Sequence, residues 1–131
     1  MQTQEPEHID AVAGFMQQIA EYESERTLRI DAGVPALHRL VKVAKGDTGQ
    51  AETVRAFLLG LYNGYNFPFN LVSLRSIDKE LFDDCMDVLA MDARATQKEI
   101  HLYIDQPDPD TGSKLFKQWA RQAIDERSNA Q

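Results

Sequence analysis

Residues 54–65, VRAFLLGLYNGY, repeat their large apolar side chains every three to four positions. Val54, Phe57, Leu58, Leu61, Tyr62 and Tyr65 stand at i, i+3, i+4, i+7, i+8 and i+11. That is the period of an α-helix burying one face, not the alternation of a strand. Asp47 ahead of it is placed as an N-cap, Gln50 as the reciprocal half of a capping box, and Gly64 as a stop.

The same period extends in both directions. Toward the N-terminus, Leu37, Leu40, Val41 and Ala44 form the buried stripe of a helix from Pro35 to about Lys45, which Gly46 closes. Gly33 separates it from an earlier helix, from Pro6 to about Arg29, that carries Ile9, Val12, Phe15, Met16 and Ile19. Toward the C-terminus comes an aromatic turn, Asn66-Phe67-Pro68-Phe69, after which Asn70 caps a short helical turn to Arg75.

Asp78 precedes a helix reaching about Ala93, with Leu81, Cys85, Val88 and Leu89 facing inward. Thr96 and Glu99 spell a second capping box and favour helix for residues 97–104, although Ile100, Leu102 and Ile104 also alternate as a strand would. Residues 105–113, with two prolines, form a linker. Ser113 opens a last helix bearing Phe116, Trp119, Ala120 and Ala123 on one face. The ends, 1–5 and 128–131, are polar and read as loose. The expectation is an all-α fold, one domain over residues 1–131, built as a compact irregular bundle of five to six short helices.

Size and charge narrow the function classes. A chain of 131 residues and 14.8 kDa supports one core without a metal or disulfide staple. A net charge of −7 disfavours direct binding to nucleic acid and suits a basic or nucleic-acid-binding protein partner, or plain solubility. A lone cysteine, Cys85, excludes a disulfide framework and favours a reducing, cytoplasmic setting. The opening MQTQEPEH has no basic start and no apolar run, so neither a secretory signal nor a membrane span is expected.

Motifs for chemistry are weak. Asp47-Thr48-Gly49 and Asp110-Thr111-Gly112 repeat the tripeptide of aspartic proteases, but the β scaffold that would hold two aspartates together is missing. Asp105, Asp108 and Asp110 suggest a calcium loop. The closing position, the twelfth with Asp105 or Asp108 counted as the first, is Phe116 or Trp119, and neither can ligate. His8, His38 and His101 lack zinc-ligand spacing, and Cys85 lies between Asp84 and Asp87, which oppose a thiolate. No phosphate-binding or nucleophile-elbow motif occurs. No catalytic residue, metal or cofactor is assigned.

Two features remain as candidate partner-binding sites. Glu80, Asp83, Asp84 and Asp87 form an acidic stripe at helical spacing, which is solvated, neutralised within the fold, or kept for a basic partner. Tyr65 and Phe67 lie in a segment unusually rich in aromatics, which either plugs the core or forms an exposed anchor patch.

From Leu37 onward, several short runs carry a resemblance. These are Leu37 and Leu40 with Val43-Ala44, then Gly46-Asp47-Thr48-Gly49-Gln50, then Phe57-Leu58-Leu59 with Tyr62-Asn63, then Phe69-Asn70-Leu71 and Leu74-Arg75 with Asp78. Together they resemble an uncharacterised bacterial protein family carried largely on proteobacterial plasmids, integrative elements and prophages. The similarity spans about residues 36 to 93. Relatives often carry tryptophan and aspartate where this chain has Tyr62 and Asn70. The resemblance implies a small intracellular helical protein of accessory type, and brings no activity or catalytic residues.

The expected function is therefore non-enzymatic protein interaction on behalf of a mobile element, with inhibition of a host defence system as one form. An enzyme with a dispersed site of His38, His101 and carboxylates is the alternative. A self-associating protein, burying the aromatic turn or the first helix in a homodimer, is the other.

Overall fold

A computed structural model describes residues 4–95, 98–105 and 110–130, and among them every regular element is helical. In chain order these are α1 (Gln4–Ala44), α2 (Gly49–Tyr62), a 3-10 turn (Leu71–Ser76), α3 (Lys79–Ala90), a π-helical turn (Met91–Ala95), α4 (Ile100–Ile104) and α5 (Thr111–Ala130).

The first helix departs most from expectation. The break placed at Gly33 and the separate helix from Pro35 do not occur. α1 runs through both as one element of 41 residues, about 60 Å at 1.5 Å per residue. Pro35 removes one helical hydrogen bond and crowds the preceding turn, at a cost of about 3 kcal/mol. Tertiary burial overrides that local preference: Gly33, Ala36, Leu37 and Leu40, on both sides of the proline, are all buried. Gly33 is needed for close packing, because a Cβ there would stand 2.5 Å from the Cβ of Met91.

Helix ends are closed largely by residues other than those the sequence pattern nominates. Thr48, not Asp47, caps α2, its hydroxyl accepting from the Ala51 N–H at 3.0 Å. Gln50 reaches across to Asp78 instead, accepting from its N–H at 2.7 Å and donating to its carboxylate at 3.2 Å. This ties the start of α2 to the start of α3. Arg55 donates to the carbonyls of Ala44 and Gly46 at 2.8 and 2.6 Å, closing the C-terminus of α1. Asn70 caps the 3-10 turn as expected, accepting from Val72 N–H at 3.1 Å.

α3 passes directly into the π-helical turn, and Arg26 of α1 donates to the Ala95 carbonyl at its end at 3.1 Å. Residues 100–104 are helical, so the strand alternative fails. Thr96 lies outside the described residues, and Glu99 precedes α4 without a side-chain cap bond. Of the linker, 106–109 lie outside the described residues. Asp110 has a left-handed φ of 66°, and Asp105 accepts from the Gly112 and Ser113 N–H groups at 2.7 and 3.3 Å. A Cβ on Gly112 would collide with the His101 carbonyl, so α4 and α5 meet backbone to backbone. α5 then continues to Ala130, past the polar tail where fraying is expected.

One core results, centred on Leu37, Leu40, Val54, Leu58, Val88, Met91, Ile100 and Phe116. α1 supplies its spine and packs chiefly on α3, α2 and the π-helical turn. Only residues from about Arg26 onward take part, and the preceding turns of α1 project beyond the body.

Candidate functional site

The acidic stripe is not uniform. Asp84 is buried and held by Arg39 of α1, which donates from Nη2 at 2.8 Å and from Nε at 3.1 Å. Asp83 pairs with Lys79 one turn away at 2.7 Å, Glu80 is exposed, and Asp87 is half-buried. One of the four carboxylates is thus neutralised inside the fold, and this contact bolts α3 to α1.

The aromatic segment also divides. Phe67 is buried with Arg127 of α5 over its ring at 5.2 Å, and so is not an exposed anchor. Phe69 meets Phe57 edge to face at 5.5 Å, and Tyr62 packs against His101 and Phe116 at 5.1 and 5.2 Å. Tyr65 alone points outward, 95% exposed, with Leu71 and Val72 exposed a few residues on.

Both Asp-Thr-Gly triplets open helices, α2 and α5, and serve as helix starts. His38 is exposed on α1, whereas His101 is wedged against Tyr62 and Phe116, so the two histidines occupy different surroundings. Cys85 is fully buried, and burial together with Asp84 pushes its thiol up to about 12. Among the described residues, no group of three or more His, Cys, Asp or Glu converges to hold a metal ion. Surface grooves include one of about 130 Å³ between α2 and α5, walled by Glu52, Arg55 and Trp119, and an open one of about 470 Å³ along α5, walled by Lys117, Arg121 and Ile124. Neither histidine lines either groove.

A run of exposed apolar side chains lies on the projecting part of α1. Ile9, Val12, Phe15, Met16, Ile19 and Tyr22 are 43–63% exposed. Ile9, Val12, Met16 and Ile19 alternate three and four apart, the a and d positions of a heptad. The same register continues through Ile30, Gly33, Leu37, Leu40 and Ala44, interrupted by the charged Glu23 and Arg26. In that second half the register packs on the body; in the first half it is exposed and takes no part in the core among the described residues. The stripe is therefore the core-facing seam of α1 carried past the edge of the core. Sequence reading places Ile9, Val12, Phe15, Met16 and Ile19 at helical spacing, but periodicity shows a face and not what covers it.

Comparison with known families marks out part of the molecule. A sequence family matches residues 34–123, from the turn of α1 where the core begins to the middle of α5. The chain belongs to this family of unknown function (DUF7673). The match includes α4 and most of α5, beyond the 36–93 span of the motif resemblance, and the α1 stripe lies ahead of it. No curated protein and no solved structure matches the chain. Among the described residues, no helix is long and apolar enough to cross a membrane.

Proposed function

We propose that this chain works as a non-enzymatic protein-interaction module, with the family body as a platform and the projecting half of α1 as its docking surface. The observation that carries this is the seam of Ile9, Val12, Phe15, Met16, Ile19 and Tyr22, left open to solvent in the register that packs the core. Contiguous apolar surface of this extent on a soluble fold marks contact with another macromolecule. No Lys or Arg occurs before Arg26, while Glu5, Glu7, Asp10, Glu21, Glu23 and Glu25 do, so this segment suits a protein rather than a phosphate backbone. Following the motif resemblance, the biological setting we propose is accessory function on a bacterial mobile element in the cytoplasm, inhibition of a host defence system being one form.

Affinity capture from the native host with the tagged full chain tests the reading. Partners held by the wild type should be lost with Phe15→Glu/Ile19→Glu and kept with Tyr65→Ser or Glu80→Lys/Asp83→Lys. Capture unchanged by the α1 pair and abolished by Tyr65→Ser, or by reversal of the acidic residues, overturns it.

A further inference from the structure

We infer that the occupant of the α1 seam is a second copy of this chain, bound through an antiparallel α1–α1 contact. The inference rests on α1 being a docking surface and adds what docks there. Its first support is self-complementarity. The seam is a palindrome about Gly14: pairing two copies head to tail sets Ile9 against Ile19 and Val12 against Met16. These are the a-to-d layers that antiparallel helices form, and Phe15 falls beside the two-fold axis, where it meets its own copy.

Within the matched layers charge does not oppose the pairing; the like charges come one layer farther out, where Glu23 stands level with Glu5 of the other copy at each end. On the helical wheel, Ala13 and Ala20 flank the seam on one side, and Phe15 and Tyr22 on the other. Asp10, Gln17 and Glu21 lie on the far side, where Gln17 donates to Glu21 at 3.2 Å. No like charges are brought face to face between Ile9 and Tyr22. The small alanines permit close approach of the two helices.

Area and shape complete the case. At about 100 Å² of exposed surface each, six such side chains bury roughly 600 Å² per copy and 1,200 Å² per pair, the lower edge of stable interfaces. Direction follows from where the body sits. It packs on the same face of α1 as the seam, so a parallel pair would force two bodies into one space. Reversing one copy places each body beyond the other's N-terminus, and the matched layers from Ile9 to Ile19 cover about 15 Å of helix.

Sedimentation of the untagged full chain at up to about 100 µM reads the result, a concentration at which even micromolar affinity saturates. A species of about 30 kDa, twice 14.8 kDa, is expected for the wild type. Ile19→Glu should weaken it by about 100-fold or more, since it places a charge in two apolar layers. Its melting temperature should stay near that of the wild-type monomer, because Ile19 is outside the core. Ile9→Cys/Ile19→Cys should form a disulfide-linked dimer on oxidation, whereas Ile9→Cys alone should not. A monomer at every concentration, or a dimer indifferent to Ile19→Glu, overturns the second copy as occupant. The docking reading itself is then decided separately by the capture experiment. Cross-linking by Ile9→Cys alone overturns the antiparallel arrangement.

Discussion

Gly33 of α1 lies so close to Met91 of the π-helical turn that a Cβ on the glycine would stand 2.5 Å from the Met91 Cβ and 2.6 Å from its sulfur. The spine of the molecule depends on that approach, since it seats α1 on the core just ahead of Pro35.

Gly33→Ala should therefore destabilise despite the better helix former. Helix propensity favours alanine by about 1 kcal/mol, but separating packed backbones costs about 1–3 kcal/mol. Gly14, on the projecting turns, has nothing within 4 Å of an added Cβ. Gly14→Ala should raise helicity and stabilise by about 0.5–1 kcal/mol. Urea unfolding of both variants checks the contrast; equal effects would show that Gly33 is not a packing residue.

The Arg39–Asp84 pair predicts a second asymmetry. The Asp84 side chain is 12% exposed and that of Arg39 59%, so the cost of losing the pair falls on the carboxylate. Arg39→Met should lower the melting temperature at neutral pH by leaving a buried charge without its partner. Adding Asp84→Leu should recover most of the loss, since no charge then remains to be solvated. A double variant as unstable as the single one would contradict this.

Cys85 should be chemically silent in the folded protein. With its thiol held near 12 by burial and by Asp84, almost no thiolate exists at pH 8. A thiol reagent at that pH should label it only as fast as the protein unfolds, and fully in denaturant. Rapid labelling of the native chain would contradict both its burial and its place beside Val88 in the core.

Asp92 sets a pH dependence of stability. Burial, then the charge of Glu99, raises its pKa above the ordinary 3.8. The folded state thus holds this proton more tightly than the unfolded one, and stability falls as pH rises from about 4 through the folded pKa. Asp92→Asn should raise the melting temperature by a few degrees at pH 7, with the gain shrinking toward zero below pH 4. A gain that persists at pH 3 would point to a cause other than ionisation.

Legibility of the fold followed how local each determinant is. Val54 to Tyr62 declares its helix because the buried face and the period lie within one element. Asn70 as a cap is equally local. Gly33 and Pro35 mislead, because their ordinary meaning as helix breakers is outweighed by Met91, a residue distant in sequence. Gln50 misleads likewise: its partner is Asp78, and not the start of its own helix.

The candidate site follows the same division. The spacing of Ile9, Val12, Met16 and Ile19 is present in the chain as written, and so are the period of every long helix, the acidic balance and the poverty of catalytic motifs. Which apolar stripes are covered is not, because periodicity reports only that a face exists. Burial depends on where the neighbouring elements come to rest. Packing closed the heptad seam from Arg26 to Ala44, enclosed Phe67 and Asp84, and left Tyr65 and the first half of α1 facing water.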